Sequence, residues 1–578
     1  MKTYLTSEAS NSALQPDQML EQIQNRVLWL AVKMVHFANQ ERFNDDGIKV
    51  GGHQASSASA VTILTSLFFD HMTSGDRISV KPHASPIFHA IQYLLGNLDR
   101  NYLERFREFH GLQSYPSRTK DPDGVDFSTG SVGLGSIAPN FAALVEGYLA
   151  THSIGASPHK FIALVGDAEL DEGSVWETIV EPHLQQTPNI LWVVDLNRQS
   201  LDRVISGIRV NLWREMFAAN GWNVIDAKYG SRLQGAFEEP RGELLRESID
   251  AMPNEVYQRL LRSQATILRE WLPRFSSHPN DLTNFLHQRD DNTLSGLVQN
   301  LGGHDFSTLR SAFSEAERSG RPSVVFAYTL KGWRLPSIGD HQNHSVLLTP
   351  AQMEELQVQC GIKGDPWASF DQDSPEGEFC ALSANRLRAG KNPPPEPRFD
   401  IPTTMGRGYT GKVSTQQAFG YFLVGVARDL PQLAQRIVTA SPDVASSTNL
   451  GGWINRSGVW NRTTDNSIPD DNTLRSLKWT EGPNGNHIEL GISESNLFML
   501  LGQLGLTSEM HGHTLFPIGT LYDPFVCRGL EAFQYGLYAG SKFIVVGTPS
   551  GITLSREGGA HQSIVTPSIG VGMPDLLY

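Results

Sequence analysis

Four short runs of apolar residues stand out along the chain. They are Phe161-Ile-Ala-Leu-Val165, Ile190-Leu-Trp-Val-Val194, Ser323-Val-Val-Phe-Ala-Tyr-Thr329 and Phe543-Ile-Val-Val546. Strands that are apolar on both faces suit a parallel sheet covered by helices. Between the first two runs, Val175 to Gln186 is long enough for a crossover helix, which predicts a βαβ unit. The predicted class is α/β, with parallel sheets flanked by helices. No internal repeat is visible. A composition shift over residues 366–413 contains Asn392-Pro-Pro-Pro-Glu-Pro397 and Met405-Gly-Arg-Gly-Tyr-Thr-Gly411. Such a Pro/Gly stretch reads as an interdomain linker, with one α/β domain over 1–365 and a second over 414–578. Residues 240–300 are charged and helix-like and read as a decoration on the first domain. The polar N-terminal stretch is expected to be disordered.

Composition narrows the function classes. The 578 residues carry 47 Lys+Arg against 61 Asp+Glu, a net charge of −14. An acidic chain is a poor general binder of nucleic acid, which calls for a basic face. Peripheral membrane binding also calls for Lys/Arg clusters. A small anionic substrate stays open, because local positive sites can sit in an acidic protein. Three cysteines, Cys360, Cys380 and Cys527, lack metal-ligand spacing and form no disulfide framework. The chain therefore reads as reduced and cytoplasmic. No signal-peptide core opens it, and no apolar run has the length of a membrane span.

Two polar motifs follow the first two apolar runs directly. Gly166-Asp167-Ala168 follows Val165, and Asn197-Arg198-Gln199 follows the run ending at Val194. If the two strands are neighbours, both motifs lie at carboxyl ends of a parallel sheet, where open α/β folds bind ligands. A carboxylate, an amide oxygen and a backbone carbonyl are hard ligands suited to Mg²⁺ or Ca²⁺, with phosphate oxygens completing the shell. Gly166 lets the backbone approach a phosphate closely. Gly-Asp after a strand is also an ordinary turn, so these two motifs alone leave both readings open.

Gly166-Asp167 followed thirty residues later by Asn197 resembles the thiamine diphosphate motif of the transketolase superfamily. The longer stretches Gly166-Asp-Ala-Glu-Leu-Asp-Glu172 and Asp195-Leu-Asn-Arg-Gln-Ser-Leu-Asp202 are similar to the homodimeric, bacterial-type decarboxylase component of the pyruvate dehydrogenase complex. So are Gly51-Gly-His-Gln-Ala-Ser56, His83-Ala-Ser-Pro86, Gly111-Leu-Gln-Ser-Tyr-Pro116, Gly221-Trp-Asn-Val-Ile225 and Gly302-Gly-His-Asp305, in matching order. Ala168 departs from the family, which usually has Gly there. The methyl group would crowd the diphosphate slightly without abolishing binding.

The resemblance implies a thiamine diphosphate-binding fold of two α/β domains. The first, 1–365, would hold the diphosphate and metal, and the second, 414–578, the pyrimidine. It implies that Asp167, Asn197 and the Gln199 carbonyl hold Mg²⁺ against the cofactor diphosphate, with Gly166 and Ala168 alongside. Val132 would pack near the aminopyrimidine. His53, His83 and His304 match active-site histidines. For His344, in His341-Gln-Asn-His344, a bland surface role is an equal reading. In the second domain Gly491-Ile492-Ser-Glu494 matches the family's Gly-Ile-x-Glu. Ile492 would be the apolar wedge that bends the cofactor, and Glu494 the carboxylate beside N1′. Tyr522 and Phe525 would stack on the pyrimidine ring, and His561 would face the substrate. Each of these residues taken singly has an ordinary structural reading, and there are 18 histidines in the chain. Their joint occurrence in order is what favours function.

The implied activity is decarboxylation of pyruvate or a close homologue such as 2-oxobutyrate, with acyl transfer to a lipoyl group. One methylene separates these substrates, worth about 1–3 kcal/mol in a pocket, and no named residue distinguishes them. The implied assembly is a homodimer with shared active sites, and the implied partner is a lipoyl-bearing acyltransferase. Two departures bear on this. Set against the family, the chain is expected to lack the longer leader implicated in docking on that partner. It is likewise expected to stop before the second domain is complete and to lack the family's third domain. That would leave apolar surface for another chain to cover, with truncation and a separate polypeptide as the alternatives. Two other readings are a transketolase-like ketol transferase and a truncated, non-catalytic subunit.

Overall fold

The computed structural model describes residues 16–45, 47–130, 132–154, 159–198, 207–340, 342–388, 393, 396, 400–405, 408–464, 476–553 and 555–578. The polar stretch 1–15, Gln199 and most of the Pro/Gly linker motif lie outside these residues. The chain divides into two compact units. One comprises 1–136, 162–171 and 191–388; the other comprises 137–161, 172–190 and 389–578.

The first unit is organised on a five-stranded sheet. Its strands are β1 (Arg77–Ser79), β2 (Phe161–Gly166), β3 (Ile190–Leu196), β4 (Asn223–Ala227) and β5 (Ser323–Tyr328), in the order β1-β2-β3-β5-β4. β5 pairs in parallel with both β3 and β4. The double-sided apolar runs are the reason: every residue of β3 is buried, and so is Phe161–Val165 of β2. The helices Pro16–His36, Gln54–Ser66 and Ser85–Leu94 contribute to one continuous core with residues of these strands. Gln54–Ser66 is buried along its whole length, which its run of Ala and Ser permits. Residues 243–298 form five short helices around a separate apolar cluster that includes Leu245, Leu268, Leu272, Leu282 and Leu294.

The expected crossover helix is broken in two, Gly173–Ile179 and Pro182–Gln185. The cause is Pro182: the residue before a proline is driven out of the helical region, and Glu181 has an extended backbone at φ −64°, ψ 119°. Both pieces fall in the second unit.

That unit is built on a six-stranded sheet. Its strands are β6 (Ile437–Pro442), β7 (Val459–Trp460), β8 (Glu481–Gly482), β9 (His487–Leu490), β10 (Phe516–Leu521) and β11 (Ile544–Gly547), in the order β11-β10-β6-β9-β7-β8. The pairs along it are parallel. The helix Glu494–Leu504 is buried throughout. Asn496 fixes it by accepting from Thr178 Oγ1 at 2.9 Å and donating to the Glu177 carbonyl at 2.9 Å. Beyond β11, Ile552, Ile564, Val565 and Val571 are exposed. Among the described residues, no helix is long and apolar enough to cross a membrane.

Candidate functional site

Strand order makes β2 and β3 neighbours, so the loops carrying Asp167 and Asn197 emerge side by side. Both residues are buried. Arg198 takes the uncommon left-handed conformation, φ 60°, and its amide donates to Asp167 Oδ2 at 2.6 Å. Burial, then the charge of Asp195, pushes the Asp167 carboxyl up to about 7. Asp195 has no exposure, yet its carboxyl sits below the usual range. Burial opposes its charge, but Lys81 pairs with it, and Ser59 (2.6 Å) and Thr329 donate hydroxyls. Lys81 also reaches Ser59 Oγ at 3.2 Å. Lys81 is thus matched to Asp195, and Asp167 and Asn197 carry hard oxygen atoms of the kind that suit a divalent cation. Gly166 donates its amide to Glu169 at 2.7 Å, and Ala168 is exposed. Val132 is half-buried in a turn. Gln199 falls outside the described residues.

His53, His83 and His344 converge in the same unit. The rings of His53 and His83 stack at 3.8 Å, and His344 lies 4.7 Å from the first and 5.1 Å from the second. Burial lowers the pKa of His53 to about 3 and of His83 to about 2, and neighbouring positive groups push the same way. Lys331 Nζ approaches His344 Nδ1 at 3.1 Å, and burial brings Lys331 down to about 8.

His304 has a different setting. Its Nε2 accepts from the Leu330 amide at 2.9 Å, Thr62 Oγ1 lies 3.4 Å from Nδ1, and its ring stacks on Trp333. The preceding glycines have a packing reason. A Cβ on Gly302 would strike the Ala227 backbone, and one on Gly303 would meet the Tyr328 carbonyl at 2.7 Å. Gly302-Gly-His-Asp305 therefore braces the ends of β4 and β5.

The second unit gathers another group. Ser493 leads into the helix Glu494–Leu504, placing Glu494 at its first turn, where a carboxylate is favoured by the helix dipole. Glu494 is 3 % exposed, and its Oε2 has no hydrogen-bond partner, although Arg528 Nη1 is 3.0 Å away. Ile492, two residues earlier, is 71 % exposed. Tyr522 and Phe525 stack at 6.0 Å, and His561 stands edge-on to both at 5.7 and 5.5 Å. His561 Nδ1 is buried without a hydrogen bond. A buried acid whose oxygen meets an exposed cation, an exposed apolar side chain and an aromatic pair fit an amphipathic heteroaromatic ligand.

Residues 70–240 match the family described as transketolase, thiamine diphosphate binding domain. A transketolase from Campylobacter jejuni superposes with a TM-score of 0.63 at 18% identity, covering 96% of this chain and 73% of that one. For a Leishmania mexicana transketolase the TM-score is 0.67 at 16% identity, over 96% and 72%. The fold is that of the transketolases. The resemblance read from the motifs holds on the sequence side as well. The pyruvate dehydrogenase E1 component of Cupriavidus necator is 26% identical over 586 residues, 94% of this chain and 63% of that protein. That of Escherichia coli K12 is 24% identical over 580 residues, 94% and 64%. The chain spans a little under two thirds of the length of these relatives.

Within this transketolase fold, the structure brings Asp167 and Asn197 together. It gathers His53 and His83, and separately Tyr522, Phe525 and His561. Lys81, Asp195, Lys331 and Arg528 escaped the sequence reading. Asp195 lies inside a quoted motif, whereas Lys81 meets it across 114 residues and Lys331 meets His344 across 13. No local spacing announces them.

Proposed function

We propose that this chain is the thiamine diphosphate-dependent catalytic part of a 2-oxo acid dehydrogenase, a cytoplasmic oxidoreductase. It would decarboxylate pyruvate or a close homologue such as 2-oxobutyrate and pass the acyl group to a lipoyl acceptor. The observation that carries this is the buried Glu494, whose Oε2 meets the exposed Arg528 at 3.0 Å, beside exposed Ile492, in a chain that also sets Asp167 and Asn197 at neighbouring strand ends. The similarity to proteins named pyruvate dehydrogenase E1 component supports the substrate class.

The residues fit the cofactor. Asp167, Asn197 and the Gln199 carbonyl would hold Mg²⁺ and through it the diphosphate, with Gly166 and Ala168 bordering it and Val132 beside the pyrimidine. When bound, thiamine diphosphate supplies the nucleophilic carbon and the electron sink. Glu494 would hold a proton shared with the pyrimidine N1′, worth about 10²–10⁴ in rate. Ile492 would bend the cofactor, and Tyr522 and Phe525 would orient its ring. His53, His83 and His561 would face the substrate and move protons at its carbonyl and carboxylate. His304, with its nitrogens committed, would hold the turn that carries Lys331.

The functional assembly would be a homodimer with shared sites, working with a lipoyl acyltransferase. Mixing an Asp167→Ala chain with a Glu494→Ala chain then restores part of the activity, and mixed dimers that form but stay inactive contradict sharing. The reaction is tested by offering several 2-oxo acids with thiamine diphosphate, Mg²⁺ and an artificial electron acceptor, and separately a ketose with an aldose. Acceptor reduction supports the proposal. Ketol transfer alone supports the transketolase-like reading, which the structural neighbours favour. Absence of cofactor binding supports a non-catalytic subunit.

A further inference from the structure

One imidazole nitrogen from each of His53, His83 and His344 lies within 4.8 Å of the other two. The three come from distant positions. His53 immediately precedes the helix Gln54–Ser66, His83 sits in the 3₁₀ turn Pro82–Ala84, and His344 lies beyond β5. Three convergent imidazoles are a nitrogen-only donor set. Such a set suits Zn²⁺, Cu²⁺, Ni²⁺ or Co²⁺, whereas Mg²⁺ calls for oxygen ligands such as Asp167 and Asn197.

We propose that His53, His83 and His344 form a transition-metal site, for Zn²⁺ above all, distinct from the oxygen-ligand site at Asp167 and Asn197. Three protein nitrogens leave a fourth position for water or a carboxylate, the arrangement of reactive rather than structural zinc sites. Lys331 Nζ lies 3.1 Å from His344 Nδ1, so metal binding through Nε2 requires the ammonium to give up that contact. The strongest charged influences on His53 and His83, apart from other histidines, are Arg107, Lys331, Lys81 and Lys49. These cations oppose a metal ion and weaken its binding, and they favour an anionic fourth ligand. Because His53 and His83 are also read as substrate-facing, zinc there blocks turnover. That consequence rests on the proposed function, whereas the binding itself does not.

The test uses the tag-free chain, stripped of metal and kept in excess Mg²⁺. Titration with Co²⁺ is expected to give the intense visible absorption of low-coordinate cobalt, at one equivalent per chain, and Zn²⁺ displaces it. Each of His53→Gln, His83→Gln and His344→Gln weakens Co²⁺ binding by at least about tenfold. Asp167→Asn and the exposed His278→Gln leave it unchanged. Pale, octahedral cobalt in the wild-type chain overturns the proposal without any variant. So does an absorption that survives the three histidine substitutions but is lost in Asp167→Asn. Cobalt binding as described in a chain inactive toward every 2-oxo acid upholds the metal site and rejects the proposed activity.

Discussion

Asp195 in the first unit and Glu494 in the second are both buried carboxylates close to candidate ligand sites, but their surroundings contrast. Asp195 is closed on itself, with an ammonium and two hydroxyls satisfying it inside the protein. Glu494 keeps one oxygen without a hydrogen bond, and its nearest cation, Arg528, is 54 % exposed. The apolar neighbours differ likewise: the strands around Asp195 bury their side chains, whereas Ile492 beside Glu494 is open to solvent. A polar group complete within the fold is a framework element. One left incomplete next to exposed apolar surface is arranged for something that arrives later.

Breaking the closed site should cost most. Lys81→Ala leaves Asp195 buried without its cation, and a loss of about 3–5 kcal/mol is expected in equilibrium denaturation. A change below about 1 kcal/mol would mean that the pair is not buried as described. The His89–Asp123 pair, 2.6 Å apart, is likewise fully buried in the first unit, although His89 Nε2 and Asp123 Oδ1 make no hydrogen bond. Burial opposes the His89 charge, but Asp123 overrides it, so the folded pKa lies above the ordinary 6.5. The pair's contribution to stability is therefore complete below pH 6.5 and is lost as pH rises through the raised folded value. Denaturation curves from pH 5 upward should show that decline in the wild-type chain, and Asp123→Asn should flatten it. Removing the half-exposed cation of the open site should do less: Arg528→Ala is expected to change stability by no more than about 1 kcal/mol. Ile492→Ser should be smallest, within about 0.5 kcal/mol by thermal melting, because its side chain is already exposed. It should nevertheless lower cofactor-dependent activity, and a large loss of stability would instead assign Ile492 to the core.

The same contrast explains what was legible in the sequence. The β2, β3 and β5 runs were readable because double-sided burial leaves consecutive apolar residues. Asp167 and Asn197 were readable because a strand-end motif is local. The length of Val175 to Gln186 suggests one helix, but Pro182 within it marks the break. His304 was legible as part of a motif, yet the structure uses its two nitrogens to brace a turn. His344 joins His53 and His83 from far along the chain, and Lys81 finds Asp195 across 114 residues. Pairing at such separation depends on topology, which no local pattern encodes.

In the proposed function the labour is divided: Asp167 would hold the cofactor, and Glu494 would serve its chemistry. Calorimetric titration with thiamine diphosphate and Mg²⁺ tests this directly on the wild-type, Asp167→Asn and Glu494→Gln chains, with turnover measured alongside. The expected result is binding by the wild-type chain, loss of binding in Asp167→Asn, and retained binding in Glu494→Gln with turnover reduced about 10²–10⁴-fold. Undiminished binding by Asp167→Asn, or full turnover by Glu494→Gln, would contradict it.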